Sequence, residues 1–113
     1  MLLSTMEART ESITATPQLE PEEIADIVKI FKALADKSRL KIINNLAADR
    51  RLCVSDIADQ LDMSVSNVSH HLGKLEDLGF VSYEKDGKEV YYHLDDECVR
   101  DILWRARDHV CGL

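Results

Sequence analysis

A mainly α-helical fold with one small β-hairpin is what this sequence predicts, on three observations. Apolar residues recur at helical spacing over residues 24–47 and again from about Asp95 onward. Between them, a short helical stretch and a longer one are separated by only about three residues, Asp62, Met63 and Ser64. Directly afterwards, two apolar and aromatic runs flank the polar tip Glu84-Lys85-Asp86-Gly87-Lys88, the pattern of a hairpin closed by an Asp-Gly turn.

The elements follow in chain order. Residues 1–19 are rich in Ser, Thr and Glu and lack periodicity, which predicts a flexible N-terminal arm. Pro21 with Glu22 and Glu23 is a good helix start, because proline suits the first turn and acids favour the positive end of the helix dipole. Ile24, Ile27, Val28, Phe31, Leu34 and Ala35 then share helical spacing. Asp36 is expected to cap a second helix that turns Leu40, Ile43, Leu46 and Ala47 inward and ends at Asp49-Arg50-Arg51. Ser55 is expected to cap a short helix over residues 56–61, with Val54, Ile57 and Leu61 on one face. The longer helix ends near Gly79, a residue favoured just past helix ends. A short helix, a tight turn and a second helix form a helix-turn-helix; the hairpin behind it is then a wing. A last helix from about Asp95 is expected to bury Val99, Ile102, Leu103, Ala106 and Val110. The predicted architecture is thus a winged helix-turn-helix over residues 20–113.

The 113 residues suit one small domain, and a chain of this size gains stability by pairing with a copy of itself. No apolar run approaches the roughly 20 residues needed to cross a bilayer, and Met1-Leu2-Leu3 is too short for a signal peptide, so a soluble cytoplasmic protein with no membrane partner is expected. Cys53, Cys98 and Cys111 have no disulfide-scaffold spacing and are expected to be thiols, ligands or redox sensors. The net charge of −7 opposes contact with phosphate, but it is unevenly spread. Residues 37–94 carry nine acids and eight bases, so the segment holding the motif is nearly neutral.

On the second motif helix, Val65, Val68, Leu72 and Leu75 form one stripe, extended by Leu78, and are assigned to the core. The opposite face presents Ser66, Asn67, His70, Gly73 and Lys74, with Ser69 at its edge and Ser64 just before it; His71 points to the core side. Small hydrogen-bonding groups and one base can enter a major groove about 12 Å wide. A polar face is also what any solvated helix has. The short helix before it and the hairpin after it are what favour double-stranded DNA as the partner, with Lys85 and Lys88 of the wing reaching phosphate.

The runs FKALADKSRLKI (31–42), LCVSDIA (52–58), SNVSHHLGKL (66–75) and GKEVYYHL (87–94) resemble the ArsR/SmtB family of metal-responsive repressors over roughly residues 24–111. The resemblance implies a winged-helix homodimer that represses an operator and leaves it when an inducer binds, usually a metal ion. Relatives that sense soft metals use a Cys-Val-Cys-Asp stretch at the first motif helix. This chain keeps Cys53 but has Ser55 in place of the second cysteine, so Cys53 is assigned to the core. Zinc-sensing relatives carry ligand pairs at both ends of the last helix, and the matching positions here are Asp96, Cys98, His109 and Gly112.

Cys98 and His109 share a helix face to within about 20° but are separated by a rise of about 16 Å, too far for one ion. Two antiparallel helices across a two-fold axis would instead set Asp96 and Cys98 of one chain opposite His109 of the other, giving two equivalent zinc or cadmium sites per dimer. Gly112 supplies no side chain, and Cys111 lies about 140° off the shared face, so fraying of the helix end is expected to let Cys111 or a water complete the shell. Two other readings stay open: a thiol-based redox or sulfur-sensing repressor of the same fold, and a winged-helix module that binds protein. No Ser-His-Asp arrangement, phosphate-binding glycine loop or two-histidine metalloprotease spacing is present, which argues against an enzyme.

Overall fold

The computed structural model of the chain describes residues 16–48 and 51–112. The expected arm therefore lies outside the described residues except for 16–19, which are irregular and exposed, and so do residues 49 and 50 at the expected end of the second helix. In chain order the elements are α1 (Pro21–Leu34), α2 (Lys37–Ala48), β1 (Leu52–Cys53), α3 (Val54–Leu61), α4 (Val65–Asp77), β2 (Val81–Asp86), β3 (Glu89–Leu94) and α5 (Glu97–Cys111).

Local chemistry explains most of the boundaries. Proline opens α1, and the Glu20 N–H donates to Glu23 Oε1 at 2.8 Å, satisfying a donor at the helix start. Asp36 caps α2 as expected: Oδ1 accepts the Arg39 N–H at 2.9 Å, and this bond is the main cause that holds the Asp36 carboxyl below its ordinary value. The start of α3 differs from expectation. It begins at Val54 with Cys53 in the cap position, so Ser55 lies inside the first turn, and its Oγ sits 3.2 Å from Cys53 Sγ. The reason is β1, which pairs Leu52 with Tyr92 and Cys53 with Tyr91 and delivers the chain to the helix two residues early. A strand of two residues leaves no periodic signal in a sequence.

The hairpin thus becomes a three-stranded antiparallel sheet of order β1-β3-β2. Strands β2 and β3 pair from Val81 with Leu94 to Asp86 with Glu89, and the two-residue turn is Gly87-Lys88 rather than Asp86-Gly87. Gly87 has φ 66°, the sign that a type II′ turn requires at its first central position. The core lies where α2, α3, α4, the sheet and the start of α5 meet: Ile42, Ile43, Leu46, Ile57, Val68, Leu72, Leu75, Val81 and Val99 are almost wholly buried. On α2 it is Ile42, not Ala47, that accompanies Ile43 and Leu46 inward; Ala47 is exposed and Leu40 half-buried.

Burial changes along the two outer helices. On α1, Ile24, Val28 and Phe31 are exposed, and burial is reached only at Ala33 and Leu34. On α5 the order reverses: Val99 is buried, Ile102 and Leu103 are half-buried against the core, and Ala106 and Val110 are exposed, Val110 by 83%. The expected apolar stripe of α5 is present, but its second half runs beyond what one chain can cover. No helix among the described residues is long and apolar enough to cross a membrane.

Candidate nucleic-acid interface and sensing helix

The turn before α4 is built by backbone chemistry. Asp62 adopts the left-handed conformation, φ 54°, and its N–H reaches the carbonyls of Ala58 and Asp59, while Met63 N–H donates to Ala58 O at 2.9 Å. Aspartate is one of the few residues with a side chain that visits this conformation routinely. Ser64 then caps α4, its Oγ accepting the Asn67 N–H at 3.0 Å. Val68, Leu72 and Leu75 anchor α4 to the core with no exposed surface.

That anchoring fixes the opposite face. Ser64, Ser66, Asn67, Ser69, His70 and Lys74 are all exposed, as the sequence predicts. Val65 departs from expectation: assigned to the core stripe, it is 53% exposed, because the first turn of α4 projects past the layer that buries Val68. It adds an apolar group to the outward surface, of the kind that contacts a thymine methyl. Gly73 is half-buried with open space where a side chain would stand. His71 is half-buried, and desolvation lowers its pKa, so the ring stays neutral.

Lys85 and Lys88 are exposed at the wing, Lys88 in the turn itself. The acids beside them are not left facing outward unopposed. Arg51 donates to Glu84 Oε1 at 3.0 Å and to Asp86 Oδ2 at 3.1 Å, and its guanidinium lies 4.1 Å from the centre of the Tyr91 ring. Sequence reasoning missed this residue, because it lies more than thirty positions from its partners and only the pairing of β1 with β3 brings it there.

The predicted metal ligands sit at opposite ends of α5. Asp96 is its N-cap, Oδ1 accepting the Cys98 N–H at 2.8 Å, which leaves the second carboxylate oxygen for another partner. Cys98, His109 and Cys111 are exposed. The helix continues through Cys111 and closes at Gly112, φ 74°, so the fraying expected for Cys111 is not seen. Among the described residues no three of His, Cys, Asp and Glu come together to hold a metal ion. Asp96 and Cys98 stand at the start of the helix and His109 near its end. A carboxylate, thiolate and imidazole suit zinc or cadmium chemically, but only if two chains contribute. Cys53 is buried, as expected of a core thiol, and all three cysteines are thiols. Cys98 and Cys111 lie about 20 Å apart along an intact helix, which rules out a disulfide between them within one chain.

The chain is similar to known proteins in sequence and in structure. The sequence pattern of the bacterial regulatory proteins of the arsR family matches residues 36–83, from the cap of α2 into β2. A cadmium resistance transcriptional regulatory protein CadC homolog from Staphylococcus aureus is 42% identical over 95 residues, covering 84% of this chain and 78% of that protein. The antimony-specific transcriptional repressor AntR has the same fold with a TM-score of 0.77 at 28% identity, covering 89% of this chain and 91% of that one. A homodimeric winged helix-turn-helix DNA-binding domain from Mycobacterium bovis follows with a TM-score of 0.70 at 26% identity, covering 87% and 95%.

Proposed function

This chain belongs to the arsR family of bacterial regulatory proteins, and from that premise we propose that it is a homodimeric transcriptional repressor whose operator is released when a metal ion binds between the last helices of two copies. The observation that carries the DNA-binding part is the outward face of α4, on a helix locked in place by Val68, Leu72 and Leu75. All seven of Ser66, Asn67, Ser69, His70, Lys74, Lys85 and Lys88 are exposed, which supports a reading in which the first four meet base edges and the three lysines meet phosphates. Cytoplasmic location and the absence of an enzymatic role follow from this reading.

Dimerisation is supported by the uncovered apolar surfaces on α1 from Ile24 to Phe31 and on the second half of α5. A second copy covering both would also present a second α4, so that two half-sites about one helical turn apart are read together. In the same arrangement Asp96 and Cys98 of one copy would face His109 of the other, with a water as the fourth ligand, since the helix is intact through Cys111. Bridged by zinc or cadmium, the two α5 helices would be held in one relative geometry. The effector then acts by binding more tightly to the dimer geometry that fits DNA poorly. The cadmium and antimony named for the similar proteins support an inducer of this soft class. The redox alternative is weakened by the separation of Cys98 and Cys111 on a continuous helix.

The test is selection of duplexes from a random library by the purified protein, followed by anisotropy titrations with Asn67→Ala and His70→Ala. The expected result is a two-fold symmetric site, with each variant losing specific affinity by about 1 to 3 kcal/mol while binding random duplex as before. Selection that enriches no sequence would sink the proposal.

A further inference from the structure

The wing carries a charge problem that one residue outside it resolves. From Glu84 to Glu89 there are three acids, Glu84, Asp86 and Glu89, against Lys85 and Lys88, so the tip taken alone is net negative and would be repelled by phosphate. Residues two apart on a strand share a face, which puts Glu84 and Asp86 on one side of β2 and Lys85 on the other. Arg51 enters on the acidic side. It immediately precedes β1, crosses the central strand β3 over the ring of Tyr91, and ends with one guanidinium nitrogen on each carboxylate of β2, at 3.0 and 3.1 Å.

The planar fork of arginine is suited to this span; a lysine would offer one point charge to two acceptors. Addition of one positive charge brings the group from −1 to zero, and both acids direct an oxygen at Arg51. Lys85, on the opposite face, and Lys88, in the turn, make no ion pair among the described residues.

We propose that Arg51 is a positioning residue for DNA binding: by gathering Glu84 and Asp86 onto itself, it lets the wing approach phosphate through Lys85 and Lys88. The inference rests on the DNA-binding reading and adds a residue to it that does not itself touch DNA. As an exposed ion pair, the strap contributes little to folding; its effect is on the field the wing presents.

The experiment measures affinity for a duplex of about 30 base pairs with wild type, Arg51→Gln, the double variant Glu84→Gln with Asp86→Asn, and the triple variant that combines all three. Urea unfolding of each protein serves as the control for structure. Arg51→Gln is expected to weaken binding about three- to tenfold at about 50 mM salt, and by less at higher salt. The triple variant, in which Glu89 alone opposes Lys85 and Lys88, is expected to bind at least as tightly as wild type, since the acids that needed gathering are gone. A triple variant as weak as Arg51→Gln would overturn the inference, because Arg51 would then act by touching DNA itself. Unchanged affinity of Arg51→Gln with normal wild-type binding would overturn it alone. Failure of the wild type to bind any duplex would overturn the DNA-binding reading and this inference together.

Discussion

Arg39 Nη1 lies 3.3 Å from His71 Nδ1, joining the start of α2 to the middle of α4. Arginine can only donate, so Nδ1 must accept and the ring must be the neutral tautomer protonated on Nε2. The same guanidinium donates through Nε to Ala33 O at 2.8 Å and lies 3.8 Å from Asp36 Oδ2. One side chain thus ties the end of α1, the cap of α2 and α4 together.

The bond between Arg39 and His71 has a pH signature. Burial, the largest cause, holds the His71 pKa below 6.5; the Arg39, His70 and Lys74 charges act in the same direction, and Asp36 opposes them. The folded state therefore binds fewer protons than the unfolded state between the two pKa values. Stability is full above about pH 6.5, falls as the unfolded chain protonates, and levels off below the folded pKa. Thermal unfolding at about pH 7.5 and about pH 5.5 should show a smaller difference for His71→Gln than for wild type. Equal pH dependence in the two proteins would show that His71 does not contribute.

Replacement of Arg39 should be costly for a residue that reaches the surface. Its side chain is only 14% exposed, and removing it leaves the Ala33 carbonyl without that donor and Asp36 without its charge partner. Arg39→Gln is expected to lose about 1.5 to 3 kcal/mol in urea unfolding. A change below about 0.5 kcal/mol, the range of an ordinary surface position, would contradict the assignment.

The two faces of α4 should respond oppositely to truncation. Leu72→Ala removes a side chain with no exposed surface and is expected to cost about 2 to 5 kcal/mol. Val65→Ala, on the outward face, is expected to stay within about 0.5 kcal/mol of wild type in stability while lowering operator affinity. Urea unfolding and operator titration of both variants provide the check.

Lys74, Lys85 and Lys88 are assigned to phosphate, so each alanine variant should weaken specific and random duplex alike. The slope of log affinity against log salt should become shallower by about 0.9 for each phosphate that the variant no longer neutralises. An unchanged slope would remove that lysine from the interface.

The order of elements was legible because each leaves a local trace: Pro21 and Asp36 at helix starts, Ser64 three residues before Asn67, and the polar tip between two aromatic strands. The polar face of α4 was legible because the buried stripe of Val68, Leu72 and Leu75 determines what must point outward. What escaped the sequence depends on pairing between distant segments. Strand β1 is two residues long and exists only against Tyr91 and Tyr92; Arg51 reaches the wing through that pairing, and Arg39 reaches His71 across 32 positions. The end of the α5 stripe escaped for the same reason, since periodicity gives a helix face but not the length over which the core covers it. The expected donors Asp96, Cys98 and His109 stand at opposite ends of α5 in one chain, so a sequence pattern alone does not bring them together.

Release of DNA by a metal ion bound across two copies of α5 is open to a direct check. The direct measurement is operator affinity, by anisotropy, for wild type, Cys98→Ser and His109→Ala, each with and without cadmium and zinc. At least one ion is expected to weaken wild-type binding, by about 5- to 150-fold if the coupling has a typical magnitude, and both variants are expected to bind the operator normally but no longer respond. Equal operator affinity with and without either ion in the wild type, or a full response in both variants, would contradict it.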